Sequence, residues 1–258
     1  MSASLVGSEM CIRDRNKMQK RLDVYLSENN TVKSRSLAAS LIKQGSVEVN
    51  GRICTKASFA VDENDNIRII GEMPKYVGRG GLKLEKALSH YRLHLDGSVC
   101  IDIGASTGGF TDCMLQNGAV KVYSVDVGTD QLDEKLRNDP RVVSMEKTDI
   151  RNCVGTLPTV DFIGIDVSFI SLKLILPSAY ALLKDGGECV ALIKPQFEAG
   201  KSHLSKHGIV RDSKVHKKVC DDISEFASTL GFERGEVISS PITGGDGNTE
   251  YLIYLRRL

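Results

Sequence analysis

One short stretch of the sequence combines several glycines with an acidic residue. These residue types could bind a nucleoside ligand. Residues 100–110 read CIDIGASTGGF, so Asp102 precedes Gly104 by two residues and a glycine pair follows at Gly108 and Gly109. Glycines let a chain turn sharply and bring its backbone against a ligand at the start of a helix. The G-x-x-x-G-G spacing differs from the G-x-G-x-x-G of nicotinamide dinucleotide sites. This spacing and the preceding acid favour S-adenosylmethionine, whose ammonium and sulfonium groups a carboxylate can complement.

Two further acids follow the next two strand-like runs. Asp126 stands 22 residues beyond Gly104, which suits an acid that hydrogen-bonds ribose hydroxyls, and Asp149 is placed to bind an adenine amino group. A single acid of this kind is more often a surface or capping residue, but three acids after three successive strands favour a donor site. The predicted donor-binding residues are Asp102, Gly104, Ser106, Gly108, Gly109, Phe110, Asp126 and Asp149.

Charged residues also stand at the ends of later strand-like runs: Asp166 in IDVSF, Lys194 in IKPQFE and Glu250 in NTEY. The Asp/Asn-Pro-Pro-aromatic motif of amino-directed base methyltransferases is absent at 166–169, and no cysteine follows a proline, as attack on pyrimidine carbon five would require. A ribose hydroxyl must lose a proton, and a lysine pushed toward neutrality by burial and a neighbouring cation could accept it. The alternative for Lys194 is a solvated strand end or an ion-pair partner.

These side chains can meet only if their strands share one sheet. Strand-like runs, with helical stretches between several of them, recur at 99–103, 120–125, 141–145, 161–165, 188–193, 235–238 and 251–255. The alternation predicts an α/β fold with a Rossmann-like, mostly parallel seven-stranded sheet covered by helices on both faces. The carboxyl ends of parallel strands meet at one edge, where ligands bind in such sheets.

A smaller α+β domain is predicted before this sheet. Two short helices precede an alternating strand, an Asn50-Gly51 hairpin turn and a further alternating run at 66–70. Basic residues lie in the helical and turn regions, whereas the acids gather at 62–65. From charge alone, a basic face that binds RNA and an ordinary solvated surface are equally favoured. The predicted RNA-binding residues are Arg21, Lys33, Arg35, Lys43 and, in the following linker, Arg79.

Length and composition set the outer limits of these predictions. The 258 residues suit two domains, and 34 basic against 33 acidic residues leave bulk charge without information about partners. Seven scattered cysteines without a C-x-x-C pair favour reduced thiols in a cytoplasmic protein over disulfides or a metal site. No run approaches the roughly 20 apolar residues of a membrane span. The predicted organisation is an extraneous extension at 1–17, the small domain at 18–70, a linker at 71–81 and the methyltransferase domain at 82–258.

From about residue 20 to residue 258 the chain resembles the TlyA family, in which an S4 RNA-binding domain precedes an FtsJ-like ribose methyltransferase domain. The S4 resemblance rests on RLD at 21–23, SRS at 34–36 and VEVNG at 47–51. The methyltransferase resemblance rests on these motifs: GGLKL at 80–84, DIGASTGGF at 102–110, LRNDP at 136–140, DVSFIS at 166–171 and KPQFE at 194–198.

The resemblance implies S-adenosylmethionine-dependent 2′-O-methylation of a cytidine in ribosomal RNA, with ribosomal RNA or subunits as partner and no metal. It carries over a catalytic tetrad that falls on Lys83, Asp166, Lys194 and Glu250. In that tetrad Lys194 is the candidate base, Asp166 and Glu250 orient it, and Lys83 contributes charge and substrate positioning. The chain ends soon after its last strand, which resembles the short form that acts on large-subunit RNA, with the small subunit as a further possibility.

Two other functions stay open at this level. A chain of this kind could be a catalytically idle RNA-binding or ribosome-assembly factor. The family also carries hemolysin names, but the sequence has no membrane-inserting or secretory feature, so a lytic function is disfavoured.

Overall fold

The computed structural model describes residues 19–29, 31–32, 34–43, 45–71, 74–244 and 247–258. The predicted extension at 1–17 and the predicted RNA-binding residue Lys33 lie outside the described residues. The described part of the chain divides into two compact units between residues 73 and 74, so the boundary falls inside the predicted linker at 71–81. The linker residues after this boundary join the second unit, in which Tyr76 is buried.

The first unit is built from two short helices and two small antiparallel sheets. Its elements are β1 (Lys20–Arg21), α1 (Leu22–Glu28), α2 (Arg35–Lys43), β2 (Val47–Val49), β3 (Arg52–Ile53), β4 (Ala60–Val61) and β5 (Ile67–Ile69). The strands pair in the order β3-β2-β5, and β1 pairs with β4. Asn50 and Gly51 both have positive φ, as the predicted hairpin turn between β2 and β3 requires. The core of the unit is formed by Leu22, Leu26, Val32, Ala38, Leu41, Ile42, Val47, Val49 and Val61.

The second unit alternates strands and helices. Its elements are α3 (Gly80–Tyr91), β6 (Val99–Ile103), α4 (Gly109–Gln116), β7 (Lys121–Val125), α5 (Glu134–Arg137), β8 (Val142–Met145), β9 (Val160–Ile165), α6 (Leu176–Leu182), β10 (Leu183–Ile193), α7 (Pro195–Glu198), α8 (Ser213–Thr229), β11 (Phe232–Ser239) and β12 (Tyr251–Arg257). Short 3₁₀ helices occur at Ile150–Asn152, Leu172–Leu174 and Lys201–His203. Strand β10 begins five residues before the predicted run, with a register shift between Leu183 and Glu188.

The seven strands form one mixed sheet in the order β11-β12-β10-β9-β6-β7-β8. Strands β8, β7, β6, β9 and β10 run parallel, and β12 runs antiparallel to β10. Because Tyr251 pairs with Ile193, the beginning of β12 lies at the edge where β10 ends. The α/β fold class, with a seven-stranded sheet after a small α+β unit, is therefore confirmed.

Both faces of the sheet are covered by apolar side chains. Alternate residues of each central strand point to opposite faces, so Ile101 and Ile163 join one buried cluster while Cys100 and Phe162 join the other. These clusters fix the ends of the strands relative to one another. No helix in the described part of the chain is long and apolar enough to cross a membrane.

Candidate active site

A cavity of about 340 Å³ opens at the edge of the sheet where the parallel strands end. This volume lies within the usual range of small-molecule sites, roughly 300–1,000 Å³. The turn after β6 lines one part of it with Gly104, Ala105 and Ser106. The four predicted catalytic residues, Lys83, Asp166, Lys194 and Glu250, line another part. The cavity therefore joins the glycine turn to the three charged residues predicted at strand ends and to Lys83, which the family resemblance adds.

The four charged side chains form a continuous row. Glu250 Oε2 lies 2.7 Å from Lys83 Nζ, which lies 3.3 Å from Asp166 Oδ2. The other oxygen of Asp166, Oδ1, lies 2.6 Å from Lys194 Nζ. Lys83 and Lys194 are only 8% and 7% exposed, so each ammonium group is compensated by a carboxylate rather than by bulk water. Two cations and two anions make the row neutral overall, and all of its members except the partly buried Asp166 are buried.

Each member of the row is positioned by the end of a regular element. Asp166 follows β9, Lys194 follows β10 at the N-cap of α7, and Glu250 precedes β12, which is antiparallel to β10. Lys83 instead comes from the first turn of α3. A Cβ at Gly109 would lie 2.9 Å from Gly81 N, so glycine is what lets the start of α4 approach the start of α3 so closely. That close approach brings Lys83 to the edge of the sheet.

The glycine turn is shaped as much by packing as by access to a ligand. Gly104 has a φ of +86°, and a Cβ there would lie 2.6 Å from the backbone oxygen of Asp166. Gly108 has a φ of +95°, and a Cβ there would overlap Leu136. Ser106, also at positive φ, donates its backbone N–H to Asp126 Oδ2 at 2.8 Å. The turn is thereby fixed against the loops that follow β7 and β9.

Comparisons with known proteins show which family contains this combination of domains. Residues 76–257 match the model of the FtsJ-like methyltransferases, and residues 20–67 match the S4 domain. A 16S/23S rRNA (cytidine-2′-O)-methyltransferase TlyA from Mycobacterium tuberculosis is 37% identical over 242 residues, which cover 92% of this chain and 89% of that protein. The chain belongs to the TlyA family of FtsJ-like methyltransferases.

Two further proteins support this assignment. A candidate rRNA methyltransferase of Bacillus subtilis is 47% identical over 240 residues, covering 92% of this chain and 85% of that protein. The solved structure of a candidate hemolysin from Streptococcus thermophilus superposes with a TM-score of 0.74 at 46% identity, covering 93% of this chain and 88% of that one. The TlyA-family protein is thus a methyltransferase, and its fold implies S-adenosylmethionine as the methyl donor.

The predicted donor-binding residues divide into two groups in this TlyA-family protein. Those that line the cavity are Gly104, Ser106, Gly109 and Phe110, whereas Asp102, Gly108, Asp126 and Asp149 do not line it. Asp126 accepts hydrogen bonds from the backbone of Ser106 and of Gly128, which leaves acceptor capacity on its oxygens. Asp149 forms an ion pair with Arg151 at 2.6 Å, and hydrogen bonds from Arg151 lower the pKa of the Asp149 carboxyl. The donor-binding roles of these acids remain predictions.

Asp102 lies beneath the glycine turn rather than in the cavity. It is fully buried, and its Oδ2 accepts hydrogen bonds from the backbone N–H (2.9 Å) and hydroxyl (2.7 Å) of Thr111 in α4. Its Oδ1 is buried without a hydrogen-bond partner among the described residues. Burial raises the pKa of Asp102 from 3.8 to about 7. The carboxyl therefore anchors α4 under the turn and keeps one oxygen free beside it.

The raised pKa of Asp102 predicts a pH-dependent contribution to stability. Between about pH 4 and pH 7 the folded protein retains a proton that the unfolded chain releases, so this contribution is lost as the pH rises. The free energy of unfolding of wild type minus that of Asp102→Asn should fall by about 3 kcal/mol between pH ~5 and pH ~8. Urea unfolding of both proteins without donor measures this difference. A difference that does not change with pH would show that Asp102 is ionised throughout.

Aromatic residues at the mouth of the cavity were missed as candidates from the sequence. Phe169 is 90% exposed and has a φ of +63°, which is a strained backbone conformation for this residue type. Its ring lies 5.0 Å from the ring of Phe197 between centroids, and both residues line the cavity. Lys194 Nζ also donates to Ser168 Oγ at 2.9 Å. The sequence signal that could have identified this aromatic group is the pair Ser168 and Phe169, two and three residues after the strand-end Asp166.

Two predicted RNA-binding residues of the S4 domain share one buried acid. Arg21 Nε and Arg35 Nε each lie 2.9 Å from an oxygen of Asp23, which is buried. The hydrogen bonds from Arg21 come first among the causes that hold the pKa of Asp23 far below its usual range. Lys43 is exposed at the end of α2, and Arg79 belongs to the methyltransferase unit, where it lines the cavity. The structure thus brings Arg21 and Arg35 together at one acid.

Proposed function

We propose that this protein transfers a methyl group from S-adenosylmethionine to the 2′-hydroxyl of a cytidine in ribosomal RNA. The observation that carries the proposal is the buried row Glu250–Lys83–Asp166–Lys194 on the wall of a cavity that also contains the glycine turn. A ribose hydroxyl is a poor nucleophile until its proton is removed, and the row supplies a nitrogen for that proton. The substrate follows from the name of the Mycobacterium tuberculosis relative.

The residues around the turn fit the donor. When bound, S-adenosylmethionine supplies an electrophilic methyl group next to a positively charged sulfur. Backbone groups of Gly104 and Ser106 face the cavity, Asp126 retains acceptor capacity for ribose hydroxyls, and the buried Oδ1 of Asp102 lacks a partner beside the turn. These residues would hold the donor and leave the charged row for the acceptor.

Lys194 takes the hydroxyl proton as a neutral amine. Its ammonium form first releases one proton to solvent, so the row carries one net negative charge before the transfer and is neutral after it. A neutral amine has two N–H groups and one lone pair. Lys194 Nζ has Asp166 Oδ1 at 2.6 Å and Ser168 Oγ at 2.9 Å as acceptors for those N–H groups. Donation to both acceptors would leave the lone pair free for a hydroxyl in the cavity, which Lys194 lines. Asp166 and Ser168 therefore orient Lys194 for attack on a hydroxyl proton.

Lys83 keeps the row balanced while this proton moves. Its ammonium group binds both Glu250 and Asp166, so Asp166 is already compensated by one cation. After the transfer, Lys194 carries the proton as an ammonium group beside Asp166, which stabilises it.

The exposed ring of Phe169 is suited to stack on the base of the target nucleotide. Base–aromatic stacking is worth about 1–3 kcal/mol, so Phe169→Ala should lower kcat/KM for RNA about 10- to 100-fold. Phe169→Tyr keeps the aromatic face and should stay near wild type. Methyl transfer at varied RNA concentration measures both variants, and donor affinity should not change. Equal activity of the alanine variant and wild type would remove Phe169 from base recognition.

The S4 domain binds the folded RNA. Arg21, Arg35 and Lys43 would contact phosphates, with Arg79 acting at the cavity, and RNA is distinguished from DNA by the 2′-hydroxyl that is also the nucleophile. Large-subunit RNA is the proposed substrate, with small-subunit RNA as a second one. The proposed place of action is the cytoplasm, where ribosomal subunits are found.

Incubation of unmodified large and small ribosomal subunits with labelled donor tests this function. We expect label in large-subunit RNA from the intact chain. RNA binding without incorporation would instead support a non-catalytic assembly factor. Leakage of liposomes that donor analogues do not affect would support a lytic function.

A further inference from the structure

Two chain segments line the part of the cavity around Lys194, where the RNA hydroxyl would bind. The first runs from Asp166 to Leu172, between β9 and the following 3₁₀ helix, and the second runs from Lys194 to Glu198 through α7. Near the cavity the segments are joined by Lys194, which binds Asp166 and Ser168. The far ends of the two segments, at Leu172 and Glu198, are not joined by these Lys194 contacts and need a separate contact to hold them together.

Glu198 provides that attachment. Its Oε2 accepts a 2.5 Å hydrogen bond from Ser171 Oγ, and its Oε1 accepts a 2.8 Å bond from the backbone N–H of Leu172. The side chain is partly buried, and burial raises the pKa of its carboxyl. Leu172 is anchored in the core at 1% exposure. Glu198 therefore ties the second segment to a fixed point of the first, although it does not itself line the cavity.

The attachment matters because the first segment holds a strained residue. Phe169 is highly exposed and has a positive φ, a conformation that persists only where surrounding bonds determine it. The bond of Lys194 to Ser168 precedes Phe169, and the bonds of Glu198 to Ser171 and Leu172 follow it. Without the second set, the backbone around Phe169 could relax, and Asp166 at the start of the same segment would lose its fixed relation to Lys194.

We propose that Glu198 is a positioning residue for methyl transfer, which holds the segment of Asp166 and Phe169 against the segment of Lys194. The proposal rests on the proposed function and concerns the same site. Glu198 acts through the two hydrogen bonds that it accepts rather than through its negative charge. A glutamine can reproduce both bonds, since its oxygen can accept from Leu172 N–H and its amide can donate to Ser171 Oγ.

The test compares Glu198→Ala with Glu198→Gln in the full-length protein. Glu198→Ala should lower kcat at least tenfold, while the donor dissociation constant stays within about twofold of wild type, because the glycine turn is untouched. Glu198→Gln should recover most of the lost kcat. Asp161→Ala is the matched control, since Asp161 also accepts one backbone N–H and one side-chain bond, from Val99 and Lys184, at the start of β9. Ser171→Ala removes one of the two Glu198 bonds and should cause a smaller loss of kcat than Glu198→Ala.

Three results would overturn the proposal. One is a loss of kcat in Glu198→Ala no greater than in Asp161→Ala at equal thermal midpoints. Another is a Glu198→Gln variant as inactive as Glu198→Ala, since the charge would then matter rather than the bonds. The third is an unchanged kcat in Ser171→Ala. This variant keeps the proposal testable even if Glu198→Ala does not fold. Wild type is assayed alongside on ribosomal subunits, and its failure to methylate them would count against the proposed function instead.

Discussion

Replacing Lys194 by alanine should lower the rate of methyl transfer by about a thousandfold or more, because a positioned base contributes roughly 10²- to 10⁴-fold. The substitution removes the nitrogen that lies between Asp166 and Ser168 on the cavity wall. The glycine turn is not altered, so donor affinity should stay nearly the same. Single-turnover assays with saturating donor and RNA give the rate of transfer, and calorimetric titration gives the donor affinity.

Lys194→Arg separates the role of a base from the role of a cation. Arginine keeps the positive charge and can bind Asp166, but it does not become neutral in a protein. The arginine variant should therefore be nearly as inactive as the alanine variant. Substantial activity of Lys194→Arg would contradict proton acceptance at Lys194 and would leave this residue a purely electrostatic function.

Replacing Asp166 by alanine should destabilise the methyltransferase unit by about 3–5 kcal/mol, because removing one partner of a buried pair leaves an uncompensated charge. Here Asp166 separates two buried lysines, with Lys83 Nζ at 3.3 Å and Lys194 Nζ at 2.6 Å. After the substitution, Glu250 is the remaining carboxylate of the row. Urea unfolding followed by circular dichroism measures the loss, and methyl transfer should be lost as well.

The double variant Asp166→Ala/Lys194→Met is the control for this explanation. It removes the lysine that the first substitution leaves without its carboxylate and replaces it by an apolar side chain of similar length. Part of the lost stability should return, while methyl transfer stays absent. A destabilisation below about 1 kcal/mol in Asp166→Ala would indicate that cavity water solvates both lysines, contrary to the buried row.

Local sequence pattern was sufficient for the parts of the site that follow strands. Asp166 and Lys194 were placed at one edge because each follows an apolar run, and parallel strands end at a common edge. Glu250 reaches the same edge from the start of an antiparallel strand, which strand-like periodicity alone does not distinguish. Lys83 was assigned through family resemblance, because its place on α3 depends on the close approach of Gly81 and Gly109.

Other features depend on contacts that no local pattern contains. Asp102 precedes the glycine turn as a donor-binding acid should, but its side chain turns to Thr111 under the turn. Phe169 has a positive φ, and the residues on either side of it are bonded to Lys194 and Glu198, which lie far along the chain. Such pairings are decided by tertiary packing, so a sequence pattern can indicate the residue type but not its orientation.

The chemical position of the added methyl group distinguishes a ribose hydroxyl acceptor from a base acceptor. Large-subunit RNA methylated by the purified protein would be digested to nucleosides and analysed by mass spectrometry, with alkaline hydrolysis in parallel. We expect 2′-O-methylcytidine and a linkage that resists alkali, because a methylated 2′-oxygen cannot attack the neighbouring phosphate. A methyl group on a base atom, with an alkali-labile linkage at the modified nucleotide, would contradict a hydroxyl acceptor and with it the role of Lys194 as base.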